Sequence, residues 1–214
     1  AAPVHLTFFG GLGEIGRNCA ALEVHGRIVM LDCGQLFPDD MPGVDAVLPD
    51  FDWLLERADR LEACVVTHAH EDHIGGLPYL LRALGERGAT LPIYGSPFTL
   101  GMVRGKLKFA GVPVPDLIPL GDYDRLPIGP FDCEFLPVTH STPSGLMTVF
   151  HTPQGLACGT ATLVHIALLL VDIQQAGYHF TAILGIHQVI ECTPPVGWVV
   201  VLVHLAKYHV AAIV

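Results

Sequence analysis

The sequence predicts an α/β chain arranged as a four-layer sandwich, with helices outside and two sheets inside. Three observations carry this expectation. Strand-like runs alternate with segments of helical leucine spacing. Some strands are joined directly as hairpins. Apolar residues make up 51% of the 214 positions, enough for one sizeable buried core.

The elements follow in order. Residues 4–9 alternate weakly and run into glycines, which reads as a first strand. Cys19–Val24 and Arg27–Leu31 form a hairpin pair around His25-Gly26. Residues 52–57 suggest a short helix, and 61–66 a buried strand followed by a Gly-Gly turn into a helix over 77–84. Residues 96–109 form another helix, with Ser96 as N-cap and Pro97 in its first turn. Residues 118–120 and Phe131–Val138 read as later strands.

After Met147 the texture changes: only Asp172, Glu191 and Lys207 are charged. The apolar runs 163–171 and 198–205 read as buried central strands. Membrane spans are the alternative, but each run is shorter than the roughly 20 residues a spanning helix needs, and His165, His204 and Lys207 interrupt the region. An altered reading frame is a third account. The expected division is therefore a domain over residues 1–153 and an apolar segment over 154–214, with the second part supplying either remaining core strands or a fragment of a further domain.

Net charge is −10 and the pI about 5.5, so no broad basic surface advertises nucleic acid. A local groove with metal ions could still hold phosphates. The small basic stripe Arg104, Lys106 and Lys108 is as well explained as a solvated helix face. The six cysteines are scattered, with no C-x-x-C pair, and read as small buried hydrophobes in a reducing compartment. No charged-then-apolar leader opens the chain, so a cytoplasmic protein is expected.

The chemistry concentrates in Thr67-His68-Ala69-His70-Glu71-Asp72-His73. Four metal-capable side chains fall on a loop between a buried strand and a helix, where rigid elements hold ligands that still face solvent. Imidazole and carboxylate donors suit Zn or Mn, and paired cysteines of a closed zinc site are missing. His68 and His70 alternate, so on extended backbone they point the same way. Asp72 and His73 are adjacent, and on the following turn they could serve a second ion. One stretch feeding two ions is the pattern of a binuclear hydrolase. A cluster of surface histidines is the blander account, but such a cluster needs neither the apolar strand nor the Asp.

This H-x-H-x-D-H run resembles the metallo-beta-lactamase superfamily. Gly10-Gly11-Leu12-Gly13-Glu14-Ile15-Gly16-Arg17-Asn18 and Leu31-Asp32-Cys33-Gly34-Gln35-Leu36-Phe37-Pro38 are similar to the opening of the ribonuclease J family, in the beta-CASP branch. Gly43-Val44-Asp45, Leu48-Pro49-Asp50-Phe51, Ile93-Tyr94-Gly95 and Pro137-Val138-Thr139-His140-Ser141 continue the match over residues 3–153. The resemblance implies an αββα fold, incomplete or atypical after residue 153, with the apolar segment a piece of the beta-CASP region or the remaining core.

The resemblance also implies a ligand set. His140 falls where the family's third histidine stands, and would complete a three-histidine site with His68 and His70. Asp72 and His73 would hold the second ion and act in catalysis. A bridging Asp is expected after His151-Thr152, yet Pro153-Gln154-Gly155 follow. Asp172 is the next acidic residue and a candidate for that role, with a turn-capping Asp as the equal alternative. His204 and His209 match no family motif and read as structural.

Two further features have competing accounts. Gly11-Leu12-Gly13-Glu14-Ile15-Gly16 satisfies G-x-G-x-x-G, but no crossover helix fits before residue 27, so a dinucleotide site is disfavoured. The glycines more plausibly let backbone pass close to the metal site or a substrate phosphate. Asp32 is either a carboxylate that orients a ligand histidine or a turn Asp before Gly34. Asp39, Asp40, Asp45 and Asp50 are expected to be solvated.

The expected function is a metal-dependent ribonuclease of ribonuclease J type. It would hydrolyse phosphodiesters, from an end or internally, by a metal-activated water held by two divalent ions, Zn before Mn. The substrate would be single-stranded RNA with a 5′-monophosphate, with no membrane partner and homo-oligomerisation left open. The alternatives are an ester, thioester or lactone hydrolase on the same fold, or an inactive metal-binding fragment.

Overall fold

A computed structural model describes residues 3–38 and 41–152 and, beyond them, six strand segments. The strands are β1 (His5–Gly10), β2 (Cys19–Val24), β3 (Arg27–Leu31), β4 (Leu61–Val65), β5 (Ile93–Gly95), β6 (Leu117–Pro119), β7 (Arg125–Ile128), β8 (Phe131–Val138) and β9 (Gly145–Thr152), followed by β10 (Gly155–Gly159), β11 (Ala167–Leu170), β12 (Gly177–Thr181), β13 (Gln188–Pro195), β14 (Val199–Leu202) and β15 (Ala211–Ile213). The α-helices are α1 (Asp52–Leu55), α2 (Glu71–Ile74), α3 (Leu77–Glu86) and α4 (Pro97–Phe109).

The first sheet has the order β12-β13-β1-β2-β3-β4-β5-β6, and the second β10-β9-β8-β7. β3 to β6 pair in parallel. Parallel neighbours need crossovers, and the helices supply them: α1 before β4, α2 and α3 before β5, and α4 before β6. The expected hairpin of β2 and β3 is present, with antiparallel pairing from Ala20↔Leu31 to Val24↔Arg27.

Both faces of the first sheet are buried, and the period of two sorts its residues between two cores. Ala20, Leu22, Val29, Leu31, Ala63 and Val65 face the second sheet, where Phe131, Phe135 and Phe150 meet them. Ile28, Met30, Cys64 and Val66 face the helices, where Leu77, Leu80, Leu81 and Leu84 of α3 pack at helical spacing. The described helices all contribute to that second core, so three of the four expected layers lie among the described residues. Ser96 caps α4 as expected, its hydroxyl accepting from Thr99 N–H at 3.3 Å.

Several elements escaped the sequence reading, the three-residue β5 among them. α2 is a four-residue turn of helix, too short to show a period. β7 contains Pro127 and no apolar run, and exists through its antiparallel pairing with β8. β9 pairs with β8 over Asp132↔His151 to Val138↔Gly145. The apolar runs 163–171 and 198–205 contain β11 and β14, which pair with each other; β15, which pairs with β14 in the same small sheet, and β13, which pairs with β1, lie outside those runs. The small sheet was not foreseen, because strand partners are set by long-range pairing rather than by local pattern.

The chain leaving β3 is clamped between two other segments. Gly34 N–H donates to Asn18 O at 2.9 Å and Cys33 N–H to His73 O at 2.8 Å. Gln35 N–H donates to Glu71 O at 3.1 Å, and Asn18 N–H to Asp72 O at 3.0 Å. A Cβ on Gly34 would lie 1.6 Å from Asp72 O, so only glycine fits. Gly34→Ala should therefore cost about 3 kcal/mol or more in urea unfolding. Gly105→Ala on α4, where a Cβ meets nothing within 4 Å, should stabilise by roughly 0.5–1 kcal/mol. Equal effects at the two positions would refute the close-approach argument.

Candidate metal centre

β4 delivers its last residues into the interior, and the loop after it carries the site. Thr67 and His68 are fully buried. His68 Nε2 lies 3.0 Å from His70 Nδ1, and His140 Nε2 lies 3.1 Å from the same atom. His140 follows β8, so the cluster joins the ends of strands from both sheets. These three nitrogens all lie within 4.8 Å of one another. Donors about 2.0–2.1 Å from a tetrahedral ion stand roughly 3.3 Å apart, so the spacing fits one divalent cation.

Proton counting gives the same answer. Thr67 Oγ1 sits 3.1 and 3.0 Å from the two oxygens of Asp32, which accepts only, so the hydroxyl proton goes there. Thr67 Oγ1 is also 3.0 Å from His68 Nδ1 and must accept from it. His68 then carries its proton on Nδ1 and turns a bare Nε2 lone pair into the cluster. Burial first, then the neighbouring His73, His140 and His70, push the His68 pKa down to about 2 and keep it neutral. Burial and the same neighbourhood lower His140 as well. Ser141 Oγ, 3.2 Å from His70 Nε2, steadies the third ring from its far side.

Asp72 and His73 form an adjoining pair. In a strand they would diverge; on α2 they converge, with His73 Nε2 3.4 Å from Asp72 Oδ2. The His73 ring centroid is 4.0 Å from that of His68, so the pair abuts the first cluster. Burial alone would lower His73, but the Asp32 charge and hydrogen bond, followed by Asp72, outweigh it and raise the pKa to about 9. Burial alone would raise Asp72, yet its bond to His73 holds it below the usual carboxylate range. Two carboxylates around one imidazole make a pocket that favours positive charge.

Asp32 turns out to be the orienting carboxylate rather than a free turn residue. It is 4% exposed and follows β3 with φ +58°, a left-handed conformation that Asp tolerates. Its Oδ1 accepts from Thr67 N–H at 2.8 Å, and its Oδ2 lies 2.7 Å from His73 Nδ1. Asp45 and Asp50 are exposed as expected; Asp39, Asp40, Asp172, His204 and His209 lie outside the described residues. The dinucleotide account fails, because strand β2 rather than a helix follows the glycines. The loop closes on itself: Gly11 N–H donates to Glu14 Oε1 at 3.2 Å, and Arg17 pairs with Glu14 at 2.8 Å.

That closure brings Asn18 to the centre, and sequence reasoning assigned it no role. Asn18 Nδ2 lies 3.1 Å from Asp72 Oδ2 and 3.1 Å from His73 Nε2. Thr67 was likewise passed over. The basic stripe is also revised: Lys106 pairs with Glu71 at 2.7 Å, beside the histidines, while Arg104 and Lys108 are exposed. A cleft of about 900 Å³ opens at the centre, lined by Ile15, Phe37 and Met41 on one side and by His70, Glu71 and Asp72 on the other.

Asp32→Ala would strand the Thr67 amide and remove the charge that offsets burial of His73. Urea unfolding should show a loss of about 3–5 kcal/mol. A loss below about 1 kcal/mol would mean that the carboxylate does not hold the loop.

Known proteins place the chain in a family. The chain is 39% identical over 170 residues to Ribonuclease J of Mycolicibacterium smegmatis, covering 79% of this chain and 28% of that one. It is 40% identical over 166 residues to Ribonuclease J of Thermus thermophilus, covering 76% and 28%. Ribonuclease J 1 of Streptococcus pyogenes is 40% identical over 148 residues, covering 68% and 26%. The chain thus spans between 26% and 28% of the length of these relatives. Among solved structures, the metallo-beta-lactamase fold protein YhfI of Bacillus subtilis superposes with a TM-score of 0.54 at 20% identity, covering 74% of this chain and 62% of that one. Human tRNase Z, short form, gives 0.52 at 17% identity, covering 73% and 68%. At these identities the structural likenesses speak for the fold alone. A profile of the beta-lactamase superfamily domain matches residues 27–166, well over half of the sequence, and the chain belongs to that superfamily.

Proposed function

We propose that this chain is the catalytic metal domain of a ribonuclease of ribonuclease J type, dividing near residue 153 from the apolar segment 154–214. The observation that supports this best is the convergence of His68, His70 and His140 beside the Asp72–His73 pair at the mouth of a cleft. Similarity to Ribonuclease J proteins selects RNA among the substrates such a centre could take.

In this reading His68, His70 and His140 hold one divalent ion. Asp72 and His73 hold a second, with Asp172 proposed as the bridging carboxylate. When bound, the two ions, Zn²⁺ before Mn²⁺, would supply Lewis-acid activation of a water and neutralisation of phosphodiester oxygens. The protein's own groups do the positioning. Thr67 fixes the tautomer of His68, and Asp32 holds His73 by Nδ1, so that His73 Nε2 is left to ligate once its proton is released. Asp72 stays ionised beside His73 and is placed to orient a water or take its proton. The cleft wall of Ile15, Phe37 and Met41 is exposed and apolar, which suits unpaired bases of single-stranded RNA carrying a 5′-monophosphate.

A cytoplasmic setting belongs to the same reading, supported by Cys19, Cys33, Cys64 and Cys133, all free and buried. No described helix is long and apolar enough to cross a membrane. A homo-oligomer is compatible with it. The second reading, an ester, thioester or lactone hydrolase, is favoured by the acidic net charge of −10 and by the absence of a cation among the described residues that line the cleft.

The test offers the protein, loaded with Zn²⁺ or Mn²⁺, 5′-monophosphorylated single-stranded RNA and a panel of small esters. RNA cleavage should drop about a thousandfold in His68→Ala/His70→Ala, and equally on chelation. Ester hydrolysis without RNA cleavage would sink the nuclease reading. Elemental analysis should find two ions per chain; fewer than one would undo the centre itself.

A further inference from the structure

We propose that Asn18 is a positioning residue for the Asp72–His73 half of the centre, setting the affinity of the second ion without acting on the first. The assignment rests on the two-ion reading above. Asn18 ends the glycine loop, and its backbone is held on both sides: N–H donates to Asp72 O at 3.0 Å, and O accepts from Gly34 N–H at 2.9 Å. The preceding Arg17 adopts φ +52°, which turns the chain back so that Asn18 reaches α2.

The side chain then meets three atoms. Nδ2 is 3.0 Å from Asp72 O, 3.1 Å from Asp72 Oδ2 and 3.1 Å from His73 Nε2. A carboxamide nitrogen donates only. His73 directs Nδ1 at Asp32, so Nε2 faces the same region and would ligate there once a bound cation displaces its proton. One amide therefore fixes one oxygen of Asp72 and faces the imidazole nitrogen that would ligate. The amide cannot swing away freely, because its Oδ1 packs on Gly11, where a Cβ would lie only 2.6 Å from it. This gives the glycine loop a purpose: Gly11, at φ +83°, has no side chain so that the Asn18 amide can stand there.

The chemistry of the residue type fits. A carboxylate at this place would repel Asp72 and compete as a ligand, while an ammonium would repel a cation. A neutral donor orients the acidic ligand without altering the charge of the site. Loss of such an outer partner typically weakens metal affinity by about 10–100-fold.

Isothermal titration of chelator-treated protein with Zn²⁺ alone tests this. In Asn18→Ala the first binding step should stay within about twofold, and the second should weaken by about 10–100-fold. Both backbone hydrogen bonds of Asn18 survive this change, so circular dichroism should be unaltered. Should Asn18→Ala not fold, Asn18→Ser, whose hydroxyl is too short to span the same atoms, should give the same split between steps. In a double-mutant cycle, Asn18→Ala should add little on top of Asp72→Ala, because the amide acts through that carboxylate. An unchanged second step, equal weakening of both steps, or full additivity with Asp72→Ala would each overturn the assignment. A parent protein that binds two ions but leaves RNA intact would remove the nuclease function and leave Asn18 in its role. A parent protein that binds fewer than two ions would overturn the role of Asn18.

Discussion

The buried carboxylate of Asp32 is the interaction on which the centre depends. It lies at the end of β3, accepts from the backbone and hydroxyl of Thr67 at the end of β4, and meets the ring of His73 on α2. Burying an anion at 4% exposure is costly unless every lone pair finds a donor, and here the donors are the residues that carry the metal-binding loop. The same contacts dictate which nitrogen of His68 and of His73 is turned into the centre. Structure and chemistry are thus settled by one group: the strand ends are tied together, and the ligating nitrogens are turned inward.

The second determinant is where two sheets meet. His68 and His70 leave the mixed first sheet at β4, whereas His140 leaves the antiparallel second sheet at β8. Leu146 N–H, at the start of β9, donates to Thr67 O at 2.9 Å and pins the second sheet's hairpin to the metal loop. The apolar core between the sheets, with Phe131, Phe135 and Phe150 against Leu22, Leu31 and Val65, sets the distance at which the histidines meet. Packing therefore reaches the site directly, since a shift of the sheets would open the cluster.

Charge is distributed unevenly around this frame. His68 is kept neutral by burial, while Asp32 and Asp72 surround His73 with negative charge. One half of the centre is built of lone pairs and the other of an anionic pocket, and both favour a cation over any neutral occupant. The cleft beyond is apolar along Ile15, Phe37 and Met41, so the centre itself is the place where an anionic substrate could be neutralised.

Much of this was legible in the chain. The His25-Gly26 turn marked the β2–β3 hairpin, and the apolar run 61–66 marked β4, because a strand buried on both faces carries apolar residues at nearly every position. Leucines at helical spacing and the Ser96-Pro97 start marked α3 and α4. The spacing of His68 and His70 implied that they share a direction, since extended backbone fixes it locally. The roles of Asn18 and Thr67, the choice between two accounts of Asp32, and the pairing of Lys106 with Glu71 were not legible. Each depends on partners distant in sequence: Asn18 and Asp72 are 54 positions apart, and Asp32 and His73 are 41 apart. A sequence by itself determines periodicity, local turns and residue chemistry, because these act within a few residues. Only the tertiary structure decides which of those residues meet, because burial and long-range pairing bring together side chains that no local rule connects.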